Sequence, residues 1–247
     1  MRIQGCFIHT FNYLPAQIIE IKILGVSSVL VKLRNLLLVL SLGVLASGCA
    51  TGRGEVDVKV AETANPAAGI AVKILEISDK RLFEISPKQP SVPSLKNKED
   101  YENPEVKARA IARKRNSYGI ALGDIVLPEG KTVSQLVQAA LENGLKESGY
   151  HIVNSEQSDY ENVLVLEADI TEYWAWFNPG FWSVTATHRA RVELIGDWPL
   201  INEERTITGE GQSSGMAITT KQWQEALEEG TENLSKDLQK KLKQPGS

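Results

Sequence analysis

Leu164-Val165-Leu166-Glu167-Ala168-Asp169-Ile170-Thr171-Glu172-Tyr173-Trp174-Ala175-Trp176-Phe177-Asn178-Pro179-Gly180 is the stretch that decides the fold reading of this 247-residue chain. Val163 to Leu166 is apolar at every position, as an interior strand is. Beyond it the residues alternate: Ala168, Ile170, Trp174 and Trp176 share one parity, and Glu167, Asp169 and Thr171 take the other. Period-two alternation predicts a strand with one buried face. Asn178-Pro179-Gly180 supplies turn chemistry. After it, Trp182, Val184, Ala186, Ala190, Val192 and Leu194 fall on one face, with Arg189, Arg191 and Glu193 on the other. The expectation is a long antiparallel hairpin.

Outward from the hairpin, Gly196-Asp197-Trp198-Pro199 predicts another turn, and 203–210 another strand. Two helices flank this region. Thr132 and Gln135 have capping-box spacing ahead of an apolar stripe of Val133, Leu136, Val137, Ala140, Leu141 and Leu145, with Gly149 as the stop. Thr219 and Gln222 repeat the spacing before Trp223, Ala226, Leu227, Gly230, Leu234 and Leu238. The β-branched run Ile70–Ile77 predicts a first core strand. Residues 86–104 carry four of the ten prolines and many charges, so they read as a surface excursion. Pro104 is placed to start a helix through Lys114, and Tyr118 to Leu127 to form a strand or hairpin. The predicted class is α+β: an antiparallel sheet with a long hairpin and two main helices packed on one face.

Several of these features resemble the YajG-like lipoproteins, a sparsely characterised envelope family. The resemblance runs from about Gly69 to Lys240. It rests on Ile77-Ser78-Asp79-Lys80-Arg81, the helix ending Gly149-Tyr150, the hairpin, Thr208-Gly209-Glu210-Gly211 and the closing helix. Residues 86–104 are an insertion relative to that pattern. The resemblance implies an outer-membrane lipoprotein and brings no established chemistry.

The amino-terminal region has a different character. Val31-Lys32-Leu33-Arg34-Asn35 is cationic, Leu36 to Leu45 is a ten-residue apolar run, and Ala46-Ser47-Gly48-Cys49 is a small-residue exit. Those are the three parts of an export signal, and the run is too short to span a bilayer, which takes about 20 residues. Leu45-Ala46-Ser47-Gly48-Cys49 resembles a lipobox, although Ala46 stands where Leu is commonest. That resemblance implies cleavage after Gly48 and a covalent lipid on Cys49. Ala50, rather than Asp, implies the outer membrane, periplasmic side, over the inner one. The expected division is a signal segment at 1–48, a lipidated tether at 49–68 and one α+β domain at 69–243. A short strand is expected near Glu55–Val60. A start at Val31 would leave an 18-residue signal, with 1–30 untranslated.

The first 48 residues hold four of the 27 basic and one of the 31 acidic side chains, so the body from Cys49 onward carries −7. An acidic body argues against nucleic acid as a partner, since such binding neutralises many phosphates. Cys6 and Cys49 are the only cysteines, so the body has no thiol pair for a disulfide or a thiolate metal site.

Candidate chemistry is sparse. His188 lies alone on an apolar parity, where a histidine is usually a core residue. Glu167 and Asp169 share a strand face without a second group to raise either pKa. Ser213-Ser214-Gly215 reads as a loop, and Gly209-x-Gly211 is half a dinucleotide fingerprint. Arg113-Lys114-Arg115 reads as a solvated face, with anionic lipid or glycan as the sharper alternative. The aromatic group Trp174, Trp176, Phe177, Phe181 and Trp182, with Tyr173, is the strongest candidate contact for a partner or a membrane, set against plain core packing. The expectation is a non-enzymatic envelope lipoprotein with no catalytic or metal site and no cofactor beyond the lipid on Cys49. Its partners would be membrane lipid through that anchor and an envelope protein or glycan. The rival expectations are an accessory lipoprotein of a lipid or substrate transport system, or a glycan-modifying enzyme.

Overall fold

Alternation fails as a guide to sheet faces midway along the longest strand. In the computed structural model, which describes residues 52–116, 118–153, 163–195, 201 and 205–242, strand β6 runs over Leu164–Pro179 and pairs antiparallel with β7, Val184–Ile195. The register slips between Ile170 and Glu172, a bulge at Thr171. One extra residue inverts the parity of everything beyond it. Leu166, Ala168 and Ile170 therefore share a core with Tyr173 and Ala175. Trp174 and Trp176, expected on that same face, belong to a second cluster with Leu95, Val106, Ala110 and Val126.

The remaining strands are β1 (Gly54–Glu55), β2 (Ala71–Asp79), β3 (Ala110–Arg115), β4 (Ala121–Val126), β5 (His151–Ile152) and β8 (Thr206–Gly215). All eight belong to one mixed sheet. Four of its seven pairings are parallel, β1 with β4, β2 with β5, β2 with β6 and β3 with β6. The expected antiparallel sheet built on one long hairpin is thus corrected to a mixed, mostly parallel one. The physical reason is that alternation reports which faces are buried and is silent on the direction of a neighbour. Val72 meets Leu164 across 92 residues, with no local turn to announce the pair.

Among the described residues there are three α-helices: α1 (Pro104–Arg109), α2 (Val133–Glu147) and α3 (Thr220–Lys241). Both α2 and α3 open on complete capping boxes, Thr132 with Gln135 and Thr219 with Gln222. Their apolar stripes enter the larger core, where Leu141, Leu145, Leu227, Leu234 and Leu238 are fully buried. Each such side chain stabilises by about 2 kcal/mol. The helix expected from Pro104 to Lys114 stops at Arg109. Asn103 caps its start by accepting from Glu105 N and Val106 N, and Ala110, Ile111 and Ala112 continue as a fully buried strand. Burial inside the sheet overrides the helical propensity of the alanines.

The stretch assigned to a tether is also drawn into the body. Val56 and Val58 are 1% exposed, Val56 N donates to Val126 O, and Thr63 N donates to Asn143 Oδ1. The excursion from Lys80 to Asn103 lies over the sheet face that carries Trp174, closed on itself by Tyr101 Oη to Glu84 O at 2.7 Å. The signal segment 1–48, the Val31 start, Cys49 and the 196–199 turn lie outside the described residues. Among the described residues no helix is long and apolar enough to cross a membrane.

Candidate functional site

The aromatic group divides in two. Trp174 is fully buried, edge-on to Phe83 at 6.0 Å, and its Nε1 donates to Pro90 O. Trp176 is 7% exposed, with the Arg189 guanidinium 5.3 Å from its ring centre. Phe177 is half-buried. Phe181 and Trp182 stand clear of the sheet at 89% and 87% exposure, touching edge to face at 4.7 Å. They ride on the β6–β7 turn, closed by Gly180 N to Ser183 O at 2.8 Å. Of the five residues named as a contact surface, two face solvent, two are packed inside and one lies between them.

Beside this turn is a cleft of about 630 Å³. Phe177, Val184, Ile218 and Trp223 give it an apolar floor, and Arg53, Lys114 and Arg115 a cationic rim. Lys114 Nζ donates to Gly52 O, while Arg115 donates to Gly119 O and Ser94 Oγ. Burial, and then the nearby Arg113 charge, lower the Arg115 pKa from its ordinary value. A small amphiphilic molecule with an anionic end is the chemistry such a cleft suits. Arg113 is not on the solvated face expected of it. It is 7% exposed, 4.0 Å from an equally buried Asp124 whose pKa burial pushes up, against the backbone donor of Lys96.

The interior polar groups are structural: Arg81, which sequence reasoning missed, and His188, which it expected in the core. Arg81 is 6% exposed, and all five of its N–H donors find acceptors. Nε and Nη2 grip both carboxylate oxygens of Asp79, Nη1 reaches Ala110 O and Tyr173 O, and Nη2 also reaches Lys107 O. That fork joins β2, β3, β6 and α1, a planar bidentate task a lysine could not perform. Only the Arg81 pairing with Asp79 had a sequence signal, Asp79-x-Arg81 at the end of a strand. His188 is fully buried, edge-on to Tyr173 at 4.4 Å, with neither ring nitrogen hydrogen-bonded. Burial, then the Arg81 charge, lowers its pKa to about 3, so it is neutral. Tyr173 Oη pairs with Thr231 Oγ1 at 2.7 Å, and burial raises the phenol pKa.

Glu167 lies between Glu76 and Ile195, and Asp169 between Ser78 and Glu193, on the two neighbouring strands. Ser213 Oγ donates to Glu225, and Ser214 pairs with Thr185, so neither serine meets a histidine. Among the described residues no three His, Cys, Asp or Glu side chains gather as a metal site would require. Cys49 lies outside the described residues.

No protein-family model matches the chain, and no curated protein matches it. A solved structure described as an uncharacterized protein is similar at 7% identity and a TM-score of 0.35, covering 76% of this chain and 97% of its own.

Proposed function

We propose that this protein is a lipid-anchored component of the bacterial cell envelope, held at the outer membrane through Cys49, where it binds another envelope component. The observation that carries the reading is the sequence from Val31 to Cys49, a cationic start, an apolar run and a small-residue exit ending on the body's one cysteine. Two or three acyl chains on one residue hold a protein to a bilayer far more firmly than a single chain does. Anchoring confines the body to a surface and raises its effective concentration toward any partner there. The YajG-like resemblance forms part of the same proposal.

A second role, as an accessory of lipid transport, is favoured by one observation: the apolar floor and cationic rim of the 630 Å³ cleft suit an acyl chain with an anionic head. The test of the anchor is fatty-acid labelling of the native protein beside Cys49→Ser. Wild-type should be labelled and shortened, and Cys49→Ser unlabelled and full-length. Equal labelling of both would end the proposal. Lipid recovered non-covalently from the purified native protein would promote the transport role over the binding one.

A further inference from the structure

Which end of the sheet a loop occupies follows from strand direction, and three loops fall at one end. Strands β3 and β6 are parallel, with Ala112 opposite Ala175, so the β3–β4 connection lies at the same end as the β6–β7 turn. Gly215, the last residue of β8, pairs with Val184, the first of β7, which puts Met216 there too. These loops carry Tyr118 at 87% exposure, Ile120 at 61%, Phe181 at 89%, Trp182 at 87% and Met216 at 95%. Four of these are the most exposed large apolar side chains among the described residues. Tyr118, Ile120, Phe181 and Trp182 are presented on turns closed by hydrogen bonds. Asn116 Oδ1 accepts from both Tyr118 N and Ile120 N, and Gly119 takes the positive φ of 79° the connection needs.

Strand β1 also points away from this end, although it pairs with the last two residues of β4. β1 runs parallel to β4, Gly54 opposite Ile125, and β4 begins beside the β3–β4 connection. Gly52 is tied there by Lys114 Nζ to its carbonyl. Three peptide bonds separate Gly52 from Cys49, a reach of at most about 11 Å. Any lipid on Cys49 is therefore tethered within about 11 Å of Gly52, which Lys114 holds at the rim of the cleft beside the β6–β7 turn. Tryptophan and tyrosine favour the headgroup level of a bilayer, and nearby lysine and arginine favour anionic lipid. Lys114 and Arg115 supply those cations on the rim of the adjoining cleft.

Resting on the anchor reading, we infer that this end of the sheet, with Trp182, Phe181, Tyr118, Ile120 and Met216, seats in the headgroup region of the bilayer that holds Cys49. The anchor then fixes orientation as well as location.

The experiment uses native, acylated protein reconstituted into phosphatidylethanolamine vesicles containing phosphatidylglycerol, with bromine on the upper acyl chains as a contact quencher. Tryptophan emission should fall on reconstitution, and Trp182→Phe should abolish most of that fall while floating with the vesicles equally well. Trp182 sits on an exposed turn, so an unchanged melting temperature confirms that the variant is folded. Acylated protein that floats but shows no quenching removable by Trp182→Phe overturns the seating alone. Loss of quenching into a concentration-dependent dimer also overturns it. Protein that carries no acyl group and fails to float overturns the anchor reading and the seating together.

Discussion

His188 packs between Tyr173 and the backbone of α3, so closely that a Cβ at Gly230 would lie 2.1 Å from its Nδ1. With its pKa near 3 in the fold, against an ordinary 6.5, the ring stays neutral while the unfolded chain gains a proton between those values. The unfolded state then binds more protons, so this contribution is fully present above about pH 6.5 and is lost as pH falls toward 3. Between about pH 7 and pH 4.5 the loss amounts to about 3 kcal/mol. Glu172 and Asp124 work in the opposite sense, because burial raises both carboxyl pKa values and their protonation in acid favours the fold. The comparison that isolates the histidine is His188→Leu: its stability, from urea melts at both pH values, should depend on acid by about 3 kcal/mol less than wild-type. Identical pH slopes would mean the ring is solvated. Its place on an apolar face was legible from Ala186 and Ala190. The Arg81 fork was not, because its acceptors are carbonyls of Lys107, Ala110 and Tyr173, which any residue offers.

At Gly209 and Gly211 strand β8 meets helix α3 backbone to backbone. A Cβ on Gly209 would lie 2.1 Å from Gly230 O, and one on Gly211 2.2 Å from Ala226 O. The Gly209-x-Gly211 spacing, half a nucleotide fingerprint on paper, is a strip of missing side chains that lets a helix lie directly on a strand. Gly209→Ala and Gly211→Ala should each destabilise by about 2 kcal/mol or more, since backbone rather than a side-chain tip must move. Gly52→Ala, which meets nothing within 4 Å, should be neutral. Equal melting midpoints for all three would refute the close approach. The same elements show what alternation can and cannot carry. Both capping boxes and both apolar stripes were legible, being local. The bulge at Thr171 was not, and a single unpaired residue moved Trp174 and Trp176 to the opposite face.

That displacement changes how the whole molecule is layered. With α2 and α3 covering one face, the two tryptophans need cover on the other, and the Pro-rich stretch 86–104 supplies it. Leu95 is 1% exposed beside Trp174, Tyr101 holds the loop shut through Leu95 and Glu84, and Pro90 accepts from Trp174 Nε1. An apparent surface insertion is thus the lid of a second, smaller core, hidden from sequence because its prolines and charges sit between the few residues that pack. Removing residues 86–100, whose flanks are brought together by Tyr101 and Glu84, should uncover Trp174 and Trp176 and leave the larger core standing. The variant should keep its far-ultraviolet circular dichroism, shift tryptophan emission to the red and unfold at lower urea. Leu95→Ala alone should cost about 3 kcal/mol. Unshifted emission in the deletion would mean the two tryptophans are covered by something other than this loop, and the second core would have to be abandoned.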